Sequence, residues 1–319
     1  MIKRWAVGVI SGMALILLVL PLVVPLGNLA DILILLFLYI ILGQSFNVLA
    51  GYTGLVSLGH ATFFGAGSLA TRFLWVYGAP FYVAILAGGF AAAVVSALIG
   101  VPCLRLRGAY FAMGTLALAI IGYHITSNIF ITESFLPGPL MANYSVTLRY
   151  YVALAAAVAV TIGVYMLANS RAGMGMVAVR EDEEAARSLG VSAFRSKLKA
   201  LLISAFIAGI AGGVYAFYQV ALYYYHGFSP MWSFEPIFVT FLGGPGTVLG
   251  PILGSAFYVI LREVFAYTIG APHVVIFGVI FMIIVLVFPQ GLATVWEKLF
   301  SFLNSGRGSC KQDQNLRQK

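Results

Sequence analysis

The residues able to do acid–base or metal chemistry are few and scattered along this 319-residue chain. Its histidines fall in four separate segments, at His60, His124, His226 and His273. Neither these residues nor the two cysteines, Cys103 and Cys310, have the spacing of a metal site or of a disulfide framework. The chain contains no Gly-x-x-x-x-Gly-Lys-Ser/Thr motif for binding a nucleoside triphosphate. These residue types predict a protein that is not an enzyme and that carries neither metal nor cofactor.

One histidine stands out because of the segment around it. His60 lies in Gly54–Gly67 (GLVSLGHATFFGAG), an apolar run that contains four glycines. Glycine destabilises a helix by about 1 kcal/mol relative to alanine, unless the backbone must bend or approach another element there. In a membrane, non-helical backbone persists only where protein covers it or where it lines a cavity. The segment is therefore predicted to be a bent element beside a translocation path.

Polar and aromatic side chains in and near this segment are the candidates to line such a path. They are Asn47, Ser57, His60, Phe63, Phe64 and Tyr110. An ionisable residue inside a membrane is a functional candidate by default. Hydrogen bonds between helices explain the polar members equally well, and helix or lipid contact is the more frequent fate of the aromatic ones.

The composition places all of these residues in a membrane protein. The chain is 61% hydrophobic and 9% charged, whereas soluble domains average roughly 45–50% apolar and about 25% charged residues. A crossing needs about 20 apolar residues. The sequence therefore predicts an all-α polytopic membrane protein with crossings near 6–26, 29–49, 61–77, 81–100, 108–130, 148–168, 198–222, 232–249, 250–268 and 272–290. The third and eighth crossings are the weakest, so an arrangement with eight crossings stays open.

The distribution of charge orients these crossings. Lys3 and Arg4 precede an apolar run that is read as a retained first helix rather than a signal peptide. With the N-terminus inside, 15 of the 18 Lys and Arg residues fall on the cytoplasmic side, as the positive-inside rule requires. Only Arg72, Arg149 and Arg262 lie elsewhere. Both termini are thus predicted to be cytoplasmic, and the net charge of +8 does not indicate a nucleic-acid partner.

The chain is predicted to form one transmembrane domain over residues 1–300, with a cytoplasmic loop at 169–197 and a polar, disordered tail at 301–319. Two glycine-rich segments, at 51–67 and at Gly243–Gly254, fall at corresponding places in the two halves. Such pairs are typical of an internal repeat with a substrate path between its copies. Ordinary close packing of helices through small residues explains them as well.

The cytoplasmic loop contains the clearest candidate for a binding surface. The pattern from Arg180 to Gly190 predicts one short helix, with acidic residues in its first turn and a glycine cap at its end. Glu183 and Arg187 are spaced to form an ion pair, and Ala185, Ala186 and Leu189 give it a small apolar face. Spacing alone leaves two readings open, a docking helix and a solvated connection between spans. The residues of the candidate docking surface are Arg180, Glu181, Asp182, Glu183, Glu184, Ala185, Ala186, Leu189 and Gly190.

Six stretches, in this order, resemble the LivM-type permease subunits of ABC importers for branched-chain amino acids. They are Gly54–Gly67; Leu106–Met113 (LRGAYFAM); Ser170–Gly175 (SRAGMG) with Arg180–Ala186 (REDEEAA); Lys199–Gly213 (KALLISAFIAGIAGG); Leu242–Gly254 (LGGPGTVLGPILG); and Phe288–Leu292 (FPQGL). The resemblance covers roughly residues 30 to 295 and includes Glu184-Ala185-Ala186 followed by Gly190, which is similar to the EAA motif of importer permeases.

The resemblance implies a permease in the bacterial inner membrane that is driven by ATP hydrolysis in partner subunits. Its partners would be ABC ATPases, a second, LivH-like permease, a periplasmic or lipid-anchored binding protein and the membrane lipid. It also implies that the Arg180–Gly190 segment docks on the ATPase. The external segment Ile131–Pro139 departs from the family's usual Gly-rich turn, so urea, short amides and other amino acid derivatives stay open as solutes.

An alternative function is an ion-coupled secondary transporter or channel for a small polar solute such as urea. Such a protein needs a charged residue near mid-membrane as its coupling site. The embedded acids Glu235 and Glu263 are predicted to lie toward the outer side. Their position disfavours this alternative.

Overall fold

The computed structural model describes residue 21, residues 27–106, 108–130, 134–141 and 144–269, and residue 278. Its α-helices are α1 (Gly27–Phe46), α2 (His60–Val76), α3 (Phe81–Cys103), α4 (Ala109–Ile129), α5 (Gly138–Met141), α6 (Val146–Ala168), α7 (Arg171–Glu181), α8 (Glu183–Ser188), α9 (Ala193–Tyr218), α10 (Met231–Gly243) and α11 (Gly250–Ile269). A π-helical turn at Asn47–Gly51 continues α1, and a 3-10 helix spans Tyr224–Phe228.

Five of the described helices are long and apolar enough to cross a membrane. They are Leu29–Gly51, which joins α1 to its π turn, and α3, α4, α6 and α9. These five coincide with the predicted crossings near 29–49, 81–100, 108–130, 148–168 and 198–222, so the prediction of a polytopic helical membrane protein is confirmed.

The weak crossings are shorter helices than a full span requires. Helix α2 has 17 residues and α10 has 13, fewer than the about 20 needed to cross a bilayer. The crossing predicted at 250–268 corresponds to α11. The predicted crossings at 6–26 and 272–290 lie outside the described residues, except for residues 21 and 278. The predicted tail at 301–319 lies outside them too. The total of eight to ten crossings, the orientation of the termini and the domain bounds therefore stay predictions.

Local sequence signals explain where several helices begin. Pro80 immediately precedes α3, where its fixed φ and missing N–H disrupt no helical bond. Ser145 caps α6 by accepting a hydrogen bond from Leu148 N, and Ser170 caps α7 by accepting one from Gly173 N. The short polar residues between apolar runs thus mark the ends of the helices.

Helices α2, α3 and α9 form the centre of the bundle through small residues. A Cβ atom at Gly67 would lie 2.2 Å from Gly209 O, so the backbones of α2 and α9 approach as closely as glycine allows. Ala92 of α3 and Ala208 of α9 are fully buried. Lipid is as apolar as these side chains, and association therefore depends on van der Waals contact between closely approaching backbones.

Helix α1 joins this centre to the rest of the bundle. It packs against α6, α9, α10 and α11, and the ring of Phe37 contacts that of Tyr150 with centroids 5.4 Å apart. Helices α7 and α8 mark one end of the bundle, which we call the loop end. The last turns of α9 and the first turns of α10 mark the opposite end, which we call the cavity end.

A small sheet at the cavity end departs from the predicted all-α fold. Ser134–Phe135 pairs antiparallel with Ala221–Leu222. Arg72, fully buried at the end of α2, holds this sheet to α9. Its guanidinium donates to the carbonyls of Ala216, Gln219, Val220 and Ser134 and to Ser134 Oγ. The carbonyls at the C-terminus of a helix favour a cation, which explains why this arginine is stable away from the basic loops.

Candidate functional site

The loop end carries the predicted docking segment, but as two helices rather than one. Helix α7 ends at Glu181 and α8 begins at Glu183, with Asp182 extended between them at φ −156° and ψ 114°. Asp182 Oδ1 accepts hydrogen bonds from Glu184 N and Ala185 N, 2.9 and 3.0 Å away. The prediction of one continuous helix is wrong because this aspartate, read as part of the first turn, is an N-cap that restarts the helix.

Glu183 anchors the short helix α8. Its carboxylate pairs with Arg187 at 2.6 Å and with Lys197 of α9 at 2.5 Å. The predicted Glu183–Arg187 pair is therefore present. The hydrogen bond from Lys197, with the two positive charges, lowers the pKa of Glu183 below its ordinary value, against a smaller opposing effect of burial. The contact with Lys197 fixes α8 to the start of α9 across the Gly190 turn.

The apolar face of α8 divides into an inner and an outer part. Ala186 is buried against Val179 and Ala193, so it holds the two loop helices together and is not available to a partner. Ala185 is exposed, and Leu189 is 83% exposed. Gly190 has φ +83°, the left-handed geometry expected of a helix cap. Ala185 and Leu189 are thus the exposed apolar residues of α8, and the docking role of the predicted set stays a prediction.

Arg180, the last basic residue of α7, connects the loop to the transmembrane helices. Its Nη1 donates to Gly51 O at 2.6 Å, and its side chain lies against Gly246. A second contact, between Arg180 Nη2 and Glu181 at 2.7 Å, fixes the guanidinium from the loop side. Arg180 therefore links α7 directly to the π turn that ends α1.

The π turn is also hydrogen-bonded to the glycine-rich connection between α10 and α11. Asn47 Nδ2 donates to Thr247 O at 2.8 Å, and Asn47 Oδ1 accepts from Gly246 N at 2.7 Å. We call Asn47, Gly51, Arg180, Gly246 and Thr247 the Asn47 junction. The two glycine-rich segments predicted to correspond thus meet at the loop end. Whether they are copies of an internal repeat stays a prediction.

His60 lies in a buried polar network. The structure shows the predicted bend, with irregular backbone from Gly54 to Gly59 and a helix from His60 onward. His60 Nε2 is 3.0 Å from Ser204 Oγ, which is 3.2 Å from Ser45 Oγ. The rings of Phe46 and Phe63 cover the imidazole. This network accounts for His60 as an interhelical hydrogen-bonding group, and its role in translocation stays a prediction.

The other candidate path residues occupy different environments. Ser57 is buried, and its Oγ accepts from Gly59 N. Phe63 and Phe64 are buried, and Phe64 stacks on Trp232 with ring centroids 4.3 Å apart. Tyr110 is 77% exposed on the surface of α4, apart from this group. The structure therefore brings Asn47, Ser57, His60, Phe63 and Phe64 into the interior and leaves Tyr110 outside it.

A cavity of about 400 Å³ lies at the cavity end, among residues that the sequence did not place in a path. It opens between α1, α9, α10 and α11, and its lining includes Tyr39, Tyr215, Tyr218, Trp232, Glu235 and Arg262. The sequence predicts Glu235 toward the outer side and places Arg262 among the three basic residues outside the cytoplasmic segments. The signal that could have found them is the presence of opposite charges in two consecutive apolar segments, α10 and α11.

The described residues hold no group of three or more His, Cys, Asp or Glu that could bind a metal ion. The cavity has aromatic walls and is lined by two opposite charges, Glu235 and Arg262. The loop end leaves Ala185 and Leu189 of α8 exposed.

Comparisons with known proteins identify the family of the chain. The family described as the permease component of branched-chain amino acid transport systems matches residues 28–288. The chain is 32% identical to the high-affinity branched-chain amino acid transport system permease protein LivM of Escherichia coli K12, over 92% of this chain and 76% of that protein. The LivM of Salmonella typhimurium gives the same identity and the same coverage of both chains.

A more distant relative is the probable branched-chain amino acid transport permease protein LivM of Methanocaldococcus jannaschii, 30% identical over 40% of each chain. No solved structure matches the chain. The family match spans more than half of the sequence and includes the π turn, the Gly54–Gly67 segment, the loop helices and the cavity residues. The chain therefore belongs to the family of permease components of branched-chain amino acid transport systems, as a multi-pass membrane protein.

Proposed function

We propose that this chain is the transmembrane permease of an ABC importer that moves branched-chain amino acids across a bacterial inner membrane. ATP would be bound and hydrolysed by ATPase subunits, and the chain itself would need no cofactor. A second, LivH-like permease would complete the path, and a periplasmic or lipid-anchored binding protein would deliver the solute. The relatives named for branched-chain amino acid transport support this assignment.

The observation that carries the proposal is that α8 is exposed on one face and attached to the transmembrane helices behind it. Its Ala185–Leu189 face is exposed and presents the large apolar side chain of Leu189. Behind that face, Glu183 fixes α8 to α9, and Arg180 fixes α7 to the Asn47 junction. A partner that pushes on α8 therefore acts on α1, α9 and the α10–α11 connection together.

This mechanism orients the chain. The loop end faces the cytoplasm, where the ATPase lies, and the cavity end faces outward, where the binding protein delivers the solute. Both termini would be cytoplasmic with ten crossings. The basic residues Arg171, Arg180, Arg187, Arg195, Lys197 and Lys199 support this orientation, because cytoplasmic loops carry an excess of positive charge.

The docking role is tested by adding a charge to the exposed face. Leu189→Glu should reduce co-purification of the ATPase and ATP-driven uptake at least tenfold, because docking would bury the new carboxylate against the ATPase without a partner. Met174→Glu is the matched control, since Met174 is an exposed apolar residue of α7 that lies before the bend at Asp182. Equal co-purification of the ATPase with Leu189→Glu and with Met174→Glu would remove the docking role.

The ion-coupled alternative is tested by omitting the partners. Purified permease alone, in liposomes with a proton or sodium gradient, should accumulate neither leucine nor urea. The complete importer with ATP inside the same liposomes and binding protein outside should accumulate leucine. Accumulation by the permease alone would favour the secondary transporter and overturn the proposed function.

A further inference from the structure

Two opposite charges line the cavity at the cavity end. The Glu235 carboxylate comes from α10 and the Arg262 guanidinium from α11. The volume of about 400 Å³ lies in the range of about 300–1,000 Å³ typical of small-molecule sites. An ionisable residue within the spanning part of a membrane protein is a functional candidate by default. These two charges therefore call for a functional explanation.

Two tyrosines hold the charged groups in place. Tyr258 OH donates to Glu235 Oε1 at 3.1 Å, and Arg262 Nη1 donates to Tyr39 OH at 3.2 Å. The rings of Tyr39 and Tyr258 contact each other edge to face, with centroids 4.9 Å apart. Tyr39 also interacts with the Glu235 carboxylate, so the carboxylate and the guanidinium are connected through the tyrosines beside one shared space.

The two charges do not neutralise each other directly. Among the described residues, the ion pairs within 4.0 Å all lie in the loop and the start of α9, and none joins Glu235 to Arg262. A guanidinium has five N–H donors. Within the described part of the chain, Arg262 uses one of them in a hydrogen bond, so the others are available to a ligand in the cavity.

We propose that this cavity binds the zwitterionic head of an α-amino acid, with its ammonium group at Glu235 and its carboxylate at Arg262. The two charges of an α-amino acid flank a single carbon, so one molecule satisfies both protein groups at once. The identity of the solute rests on the proposed function. The geometry adds which residues hold it and which part of it they recognise.

The remaining walls of the cavity suit an aliphatic side chain. Leu35, Met231 and the ring of Trp232 line the same space. The Trp232 ring is held in turn, because its Nε1 donates to His226 O at 3.0 Å and its face stacks on Phe64. Leucine, valine or isoleucine would place its head between the charges and its side chain on this surface. Urea, which carries no charge, would leave both protein charges unpaired.

The inference is tested by protection of a cysteine placed in the cavity. Ser229 lines the cavity between the end of the 3-10 helix and α10, so Ser229→Cys in the assembled membrane complex of both permeases and the ATPases reports access through its rate of reaction with an impermeant thiol reagent. The cells lack the binding protein, so that free solute reaches the cavity. Millimolar leucine should slow this labelling at least threefold. The singly charged analogues 3-methylbutylamine and 4-methylpentanoate, and urea, should not slow it.

Variants then assign the two charges. In the Ser229→Cys background, Glu235→Gln and Arg262→Gln should each abolish the protection by leucine. Glu263→Gln is the matched control, because Glu263 neighbours Arg262 but does not line the cavity, and it should leave the protection intact. Equal labelling rates without leucine show that the variants keep the fold around the cavity.

Three outcomes would overturn the inference: leucine fails to slow the labelling, one of the singly charged analogues or urea slows it equally, or protection persists in both Glu235→Gln and Arg262→Gln. The comparison of leucine with its analogues uses no cavity-charge variant, so it stands even if those two variants fail to fold. ATP-driven leucine uptake without cysteine protection would retain the proposed function and remove this site. Protection without ATP-driven uptake would retain the site and remove the proposed function.

Discussion

The two ends of the bundle handle charge in opposite ways. At the loop end, Glu183 pairs directly with Arg187 and Lys197 in partly exposed surroundings. At the cavity end, Arg72 is saturated by oxygen atoms of uncharged groups, while Arg262 makes one hydrogen bond within the described residues and faces a cavity. Exposed ion pairs contribute little to stability, whereas a charge taken out of water must be satisfied by the protein or by a ligand. The contrast suggests three roles: Glu183 orients a surface helix, Arg72 stabilises the fold, and Arg262 is proposed to bind the solute.

The largest effect is expected at Arg72, because removing it leaves several buried carbonyls without donors. Arg72→Ala should destabilise the protein by at least about 3 kcal/mol, since each hydrogen bond to a charged group is worth about 1.5–3 kcal/mol. Thermal unfolding of detergent-purified protein measures this loss. Arg72→Lys should rescue little of it, since an ammonium has three donors where the guanidinium uses five. A wild-type melting temperature in Arg72→Ala would show that the hydrogen bonds of Arg72 do not stabilise the protein.

Arg262 should show the reverse pattern, with function lost and the fold kept. We expect Arg262→Gln to lower ATP-driven leucine uptake at least about tenfold, which corresponds to about 1.4 kcal/mol of lost interaction. Its melting temperature should stay near that of the wild-type protein. A variant that loses stability in parallel with uptake would place Arg262 in the same class as Arg72 and remove the contrast between them.

Arg149 is an intermediate case that sharpens the comparison. Its guanidinium lies over the rings of Tyr144 and Tyr218, 4.8 and 5.8 Å from their centroids. Cation–π contacts of this kind are worth about 0.5–2 kcal/mol. Arg149→Leu should therefore cost about 1 kcal/mol in thermal unfolding and leave uptake by the remaining folded protein unchanged. A loss as large as that in Arg72→Ala would contradict this ranking of the three arginines.

The smallest effect is expected at Glu183, in the exposed loop. Its pKa is lowered in the folded protein, chiefly by Lys197, so its contribution to stability is present above the unfolded pKa, about 4.3, and is lost as the pH falls through the lower folded pKa. Glu183→Gln should weaken the hydrogen-exchange protection of α8 by less than about 1 kcal/mol at neutral pH. The difference should disappear in acid below the folded pKa. If the difference in protection between the wild type and Glu183→Gln grew as the pH fell, it would contradict a lowered pKa of Glu183 in the folded protein.

Much of the local structure could be predicted because it depends on near neighbours in the sequence. The Glu183–Arg187 pair, the Gly190 cap, the start of α3 after Pro80 and the bend before His60 each follow from residues within a few positions. The split of the loop helix at Asp182 was missed, because an aspartate in a first turn and an aspartate at an N-cap look alike in a sequence.

The cavity could not be predicted because its parts are far apart in the chain. The hydrogen bond between Arg262 and Tyr39 joins residues 223 positions apart, and the walls come from four helices. The burial of Ala186 and the exposure of Tyr110 likewise depend on which neighbouring element each residue faces. A single sequence shows which side chains are apolar or charged, but not which helices meet to enclose a space.

The central claim is that the energy for transport enters through the Ala185–Leu189 face of α8. Photocross-linking from a benzophenone side chain at position 189, in the assembled importer during ATP turnover, tests it most directly. The account predicts a covalent product with the ATPase subunit whose yield changes when a non-hydrolysable ATP analogue arrests the cycle. Cross-linking to lipid or to this chain alone, in a complex that still imports leucine, would contradict it.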